Sequence, residues 1–190
     1  MTLDLDEATL QSKLHLIDTL DQHLPGELTA AESSDYPLPP PEAYIEETID
    51  RDWERPFRNL NVVEVAMVVF PFSPTTGETN YTGDGTKHTR REALEFDCQA
   101  VFRYPGGFGA FPVNSRGRKQ TEREWMSTRA EKYKGAVINA LTKNVTDGEH
   151  VENFDIVAHD AQVPASEQFG NVAVAGVLVS FNHDALVYTQ

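Results

Sequence analysis

One segment, Thr121–Asn144, constrains what the rest of this chain can fold into. Its sequence reads TEREWMSTRAEKYKGAVINALTKN. Thr121 followed three residues later by Glu124 has the form of a capping box, in which each side chain satisfies an amide left open by the first helical turn. Met126, Ala130, Tyr133, Val137, Ala140 and Leu141 recur at spacings of three and four, which draws one apolar stripe along a helix. Arg129, Lys132, Asn139 and Lys143 fall away from that stripe. Gly135 weakens the interior by up to about 1 kcal/mol relative to alanine. Asn144 and Gly148 offer stop signals, and Lys143 suits the negative end of the helix dipole. A helix with a single apolar stripe needs a surface to lie on, and strand-like segments flank it on both sides.

Those flanks are legible. Asn61–Phe70, NVVEVAMVVF, is apolar except for Glu64, β-branched and followed by Pro71, as expected of a strand covered on both faces. In Glu92–Tyr104, Leu94, Phe96, Cys98, Ala100, Phe102 and Tyr104 alternate with Glu95, Asp97, Gln99 and Arg103. That predicts one face on a core and one facing water, with Val101 the exception. After the helix, Phe154–Val163 and Asn171–Asn182 read as a hairpin joined by PASEQFG, and the second of these strands is apolar on both faces and therefore central. The polar Ser73–Arg91 stretch reads as a projecting hairpin loop, and Pro105–Gln120 as a second loop, glycine-rich and then basic.

The N-terminal part is different in kind. Leu3, Leu10, Leu14, Ile17 and Leu24 predict a helix over roughly 5–24, ended by Pro25-Gly26. Glu27–Asp50 follows as an extended connector with four prolines between Pro37 and Pro41, a composition that favours polyproline II. It either reaches a neighbouring copy, serves as a proline-motif ligand or lays the first helix back on its own sheet, and the last is preferred. The organisation expected is a helix over 1–26, a connector over 27–50 and a core domain over 51–190, with loops 73–91 and 105–120 projecting. The fold class is α+β: a small mixed or antiparallel four-stranded sheet in the element order α-β-β-α-β-β, with helices on one face.

Charge narrows the function classes. The formal net charge is −14. Residues 1–50 hold twelve acids and one base, residues 51–143 eleven acids and fifteen bases, and residues 144–190 seven acids and no base. General nucleic-acid binding requires phosphate neutralisation by Lys and Arg and does not fit this balance. A basic middle between acidic ends can attract neighbouring copies in a ring or stack. The acidity, with ten Arg against six Lys, also fits a protein of a high-salt cytoplasm. Cys98 is the single cysteine, so an intrachain disulfide and a Cys-based zinc site are excluded. No apolar run reaches the roughly 18 residues of a spanning helix, and a protein made in a cytoplasm, without a membrane segment, is expected.

Catalytic signatures are thin. Gly106, Gly107 and Gly109 with Arg116, Arg118 and Lys119 suggest phosphate binding, but neither GxxxxGK[ST] nor GxGxxG is present. Asp84 in TGDGT is explained by turn chemistry without calcium. His159-Asp160 and His183-Asp184 fall short of a metal-ligand set, because neighbours on a strand point to opposite faces. Cys98 lies on an apolar face, where burial is the default, and Trp53 and Trp125 read as core or interface anchors. The expectation is no enzyme, no cofactor and no metal.

The strands NVVEVAMVV and EALEFDCQAVFRYP, separated by the long Ser73–Arg91 loop, continue through EREWMSTRAEKYKGAVINAL to a hairpin ending in VAVAGVLVSF. This order resembles the tail terminator and tail-completion (head–tail joining) proteins of long-tailed viruses. The likeness covers roughly Asn61–Asn182, is topological and carries no diagnostic short motif. It implies a homo-oligomeric, hexameric ring that caps the tail tube and joins it to the head–tail connector or neck. The virion would be assembled in the cytoplasm of a salt-adapted, haloarchaeal host. Genomic DNA would pass the lumen without sequence recognition. The inter-subunit or partner contacts expected are Tyr81 and Asp84 in the first loop, Arg116, Arg118 and Lys119 in the second, and Arg129 and Lys132 on the polar face of the helix. From the charge distribution, either the basic Arg116–Lys134 region meets the acids of the C-terminal part of the next copy, or an acidic face lines a channel along which DNA slides. The alternatives are another neck connector or baseplate ring subunit or, from a different class, a small α+β ligand-binding protein or enzyme.

Overall fold

The computed structural model describes residues 5–46, 55–71, 75–81, 87–104, 111–114, 116–145, 152–166 and 170–188. Along the chain run α1 (Leu5–Ala31), β1 (Ala43–Glu46), α2 (Arg55–Asn59), β2 (Val65–Pro71), β3 (Thr75–Tyr81), β4 (Lys87–Arg103), α3 (Glu122–Asn144), β5 (Glu152–Gln162), β6 (Ala165–Ser166) and β7 (Gly170–Tyr188). The class is α+β, as expected, around one mixed open sheet.

The sheet runs β1-β2-β4-β7-β5, with β3 pairing along β4 and β6 along the start of β7. It is wider than the four strands expected. The end of the connector forms β1, which joins β2 in parallel from Ala43↔Ala66 to Glu46↔Val69. The other long pairings are antiparallel, and β7 sits centrally between β4 and β5. Much of the stretch read as the first projecting loop is strand instead. Thr75–Tyr81 pairs with the first part of β4, and the β4–β7 ladder continues seven pairs beyond Leu94↔Phe181, to Lys87↔Tyr188. At about 3.4 Å per residue that extension is roughly 24 Å long.

The central helix forms as its sequence demands. Thr121 is the N-cap, its hydroxyl accepts from the amide of Glu124 at 3.2 Å, and the Glu124 carboxylate accepts from the amide of Thr121 at 2.8 Å. All six residues of the expected stripe are buried. They pack with Val65, Met67 and Val69 of β2, with Leu94, Phe96, Cys98, Ala100 and Phe102 of β4, and with alternate residues of β7 from Ala173 to Phe181. Val101, the exception to the alternation, belongs to a second core on the opposite face with Phe57, Val62, Ala66, Phe70 and Val174. The short helix α2 supplies Phe57 to that core, so the helices are not all on one face. α1 and α3 cover one side, and α2 covers part of the other.

The first helix differs from expectation in length and in face. It runs through Pro25 to Ala31. Its buried row is Leu16, Leu20, Leu24 and Leu28, which shares only Leu24 with the expected stripe, while Leu10 and Leu14 are 42% and 37% exposed. Proline removes one helical amide and costs roughly 3 kcal/mol in a helix interior. Burial of Leu24 and Leu28 on either side of it, each worth about 1.5–3 kcal/mol, outweighs that penalty. Two ion pairs tie α1 down: Lys13 Nζ to Glu46 at 2.5 Å and Glu27 to Lys143 Nζ of α3 at 2.6 Å.

Candidate functional site

Three polar arrangements stand out, and the first joins the proline-rich connector to α3. Proline has no amide to donate, so carbonyls in such a segment depend on side chains or water. Helix α3 supplies the donors. Trp125 Nε1 donates to the Asp35 carbonyl at 2.8 Å, Arg129 Nε to Pro37 at 2.9 Å, and the Tyr133 hydroxyl to Pro39. The spacing is a geometric match. Four helical residues rise about 6.0 Å, and two residues of extended chain rise about 6.2–6.8 Å. Donors at every fourth helix position therefore meet carbonyls at every second connector position. Lys132 Nζ adds a bond to the Ala31 carbonyl at 2.8 Å.

These contacts bury one residue expected at a subunit contact, Arg129, and engage the ammonium of another, Lys132. Arg129 is fully buried, with Nη2 at 2.6 Å from Glu64 Oε1 and its guanidinium 4.6 Å from the Trp125 ring centroid. Its Nη1 is the one buried side-chain polar atom without a hydrogen-bond partner among the described residues. A side chain with no exposed surface offers nothing to a neighbouring copy, so Arg129 is a structural ligand of the connector. Lys132 is partly buried, its ammonium committed to α1 and lying over the Tyr36 ring at 5.7 Å.

The second arrangement is the basic turn before α3. Asn114 organises it: Oδ1 accepts from the amides of Arg116 and Arg118 at 3.0 and 3.1 Å, and the Asn114 amide donates to the Arg118 carbonyl at 2.8 Å. Gly117 has φ +73°, a conformation that favours glycine. Arg118 pairs with Glu124 of the capping box. The Thr121 amide, with help from Arg118, holds the Glu124 carboxyl below its ordinary range. Arg116 and Lys119 are exposed on the turn. Tyr81 ends β3 opposite His88. Its side chain lies outside the described residues, as do Asp84, Gly106, Gly107 and Gly109.

The third arrangement was not anticipated. On the sheet face away from α1 and α3, a groove of about 220 Å³ runs over Gly176, lined by Asp97, Gln99, His159, Asp160 and Gln162 with Val174, Leu178 and Ala158. Register explains it. Gln99, Gly176 and Asp160 form one row across β4, β7 and β5, and Asp97, Leu178 and Ala158 form the next. The missing side chain at Gly176 leaves the notch. Each carboxylate is held by a nearby glutamine: Gln99 Nε2 donates to Asp97 Oδ2 at 2.6 Å, and Gln162 Nε2 to Asp160 Oδ2 at 2.5 Å. The Gln162 amide and the backbone amide of Ala161 hold the Asp160 carboxyl below its usual range. His159 and Asp160 both line this groove, although neighbours on a regular strand diverge, and β5 carries register shifts on its way there. Among the described residues, no group of three or more His, Cys, Asp or Glu could hold a metal ion. His183 and Asp184 lie on β7 with side chains outside the described set. The signal for the groove was a glycine inside an apolar strand, which marks close approach by another group.

Cys98 is buried under α3, and burial, with Asp97 adding, pushes its thiol far up and leaves it a poor nucleophile. No helix among the described residues is long and apolar enough to cross a membrane. No protein-family model matches the chain, and no curated protein matches it at a significant level.

Proposed function

We propose that this chain is a virion structural protein, a tail terminator whose copies form a ring that caps the tail tube and joins it to the head and neck. In support, α1, β2, β4, α3, β5 and β7 come in the order read from the sequence, with β1, α2, β3 and β6 added to it. The observation that carries the reading is the β3–β4–β7 ribbon, in which the β4–β7 ladder continues seven residue pairs beyond Leu94↔Phe181 and β3 pairs along the same part of β4. On this reading the ribbon is where copies or the tail tube engage. The outer strands β1 and β5 end the sheet order, and β5 is an 11-residue edge. Such an edge invites pairing with another chain unless something blunts it.

On this reading the partners are identical copies, the tail-tube protein and the neck connector, with DNA sliding through the lumen unread. The test is native mass spectrometry with negative-stain imaging in high salt. A closed ring, hexameric by the family's pattern, is expected. A strictly monomeric particle that also fails to bind tail-tube protein overturns the reading. The groove over Gly176 favours one other class, a small ligand-binding α+β protein, and a small molecule copurifying with a monomer would establish that instead.

A further inference from the structure

We propose that the groove over Gly176 is the receptor for the basic turn of a second copy, with Arg116 seated between Asp97 and Asp160 and Lys119 beside it. The inference rests on the ring reading and names the contact that would close the ring.

Charge and shape select this occupant. The walls contributed by β5 and β7 come from a stretch, residues 144–190, that holds seven acids and no base. Lys134 of α3 lowers the Asp160 carboxyl from another element, and its ammonium is paired with Glu131 at 2.5 Å. A Cβ at Gly176 would meet Asp97 Oδ1 at 3.4 Å and Gln99 Cγ at 3.8 Å, so the floor of the notch is open only because that residue is glycine. A slot between two oriented carboxylates suits a planar guanidinium, which can donate to both sides at once. A metal ion suits it less, because the donor set falls short of three ligands.

The turn is built to deliver such a group. Asn114 and the positive φ at Gly117 fix its backbone, Glu124 engages Arg118, and Arg116 and Lys119 are exposed. Turn and groove lie on different sides of the sheet. Phe111, at the base of the turn, packs with Tyr104 and Trp125 on the α3 side, whereas the groove opens on the other. They therefore meet only between copies. A contact between two different patches is heterologous, and it generates a ring where the rotation closes.

The experiment measures assembly of the full chain by native mass spectrometry and sedimentation for Arg116→Glu, Asp160→Lys, the double variant and Gly176→Val. Arg116→Glu and Asp160→Lys are each expected to weaken assembly about tenfold or more, as loss of a close interfacial charge pair does, and Gly176→Val weakens it by closing the notch. The double variant restores it, because the pair is re-formed with its polarity reversed. Gly176→Val fills the notch without changing charge, and circular dichroism reports whether each variant is folded. Should Asp160→Lys fail to fold, Arg116→Glu and Gly176→Val carry the test. Rings that form normally in those variants overturn this contact and leave the ring reading standing. A wild-type chain that stays monomeric overturns both.

Discussion

Three consecutive amides, those of Val63, Glu64 and Val65, converge on the carboxylate of Glu42 at 2.9, 2.5 and 3.3 Å. The Glu42 amide in turn donates to the Val65 carbonyl at 2.8 Å, so one residue pins the end of the connector to the start of β2. Partial burial pushes the Glu42 carboxyl up, but the three amides and the charge of Arg103 together bring it below its ordinary value of 4.5. The lowered folded-state pKa means that the anion is favoured by folding. Its contribution is therefore fully present above about pH 4.5 and is lost as pH falls through the folded value. Glu42→Gln should lower the unfolding midpoint at pH 7, and the gap to wild type should close as the pH is taken down toward 3. Denaturant titrations of both proteins across that range measure it, and a gap that stays constant with pH would show that Glu42 acts through packing alone. Arg129 teaches the opposite lesson about single residues. Its cationic type and its place beside the stripe mark it as exposed. It is buried because Glu64, 65 residues away in sequence, and the Pro37 carbonyl reach it, and no local pattern announces partners that distant.

Helix α3 carries one position that packing does not use. A Cβ placed on Gly135 meets nothing within 4 Å, and the residue lies inside the helix. Gly135→Ala should therefore stabilise the protein by about 0.5–1 kcal/mol, through the smaller entropy lost on folding and without any new contact. A rise in thermal midpoint with unchanged native circular dichroism would bear that out, and a fall would mean that the site is needed open by a neighbour. The elements also show what sequence can and cannot disclose. The boundaries and stripe of α3, the alternation in β4 and the central place of β7 were all legible, because each rests on local periodicity or capping chemistry. For α1 two leucine rows share Leu24, and the buried one is the row accompanied by Ser12, Lys13 and Thr19 on the covered side. Polarity argued for the wrong row, since the Lys13 charge is met by Glu46 across a contact invisible to helical spacing. Pro25 read as a stop for the same reason. The leucines on both sides of it find a tertiary surface. The groove was illegible as a site because it exists only through cross-strand register, which brings residues 97–99, 158–162 and 176 together.

At the scale of the molecule, the N-terminal helix and connector are not an appendage. Leu16, Leu20, Leu24, Leu28 and Leu38 lie in the same core as α3 and the central strands, and the connector carbonyls are read by α3 side chains. One continuous core implies that α1 and the sheet unfold together. That is testable in a Trp53→Phe background, where Trp125, at the meeting of connector, α3 and sheet, reports on that junction by fluorescence while far-ultraviolet circular dichroism reports on the whole. Leu20→Ala, a change confined to α1, removes a fully buried side chain and should destabilise by about 2–5 kcal/mol, the range for large-to-small core substitutions. If the core is one unit, the urea midpoints seen by fluorescence and by circular dichroism shift together and remain coincident. If α1 is a separable arm, circular dichroism loses a helical fraction early while the Trp125 signal keeps its wild-type midpoint. The second outcome would free the first helix to dock elsewhere in an assembly. Under the proposed ring reading, the first leaves the basic turn, the groove and the ribbon to make the contacts between copies.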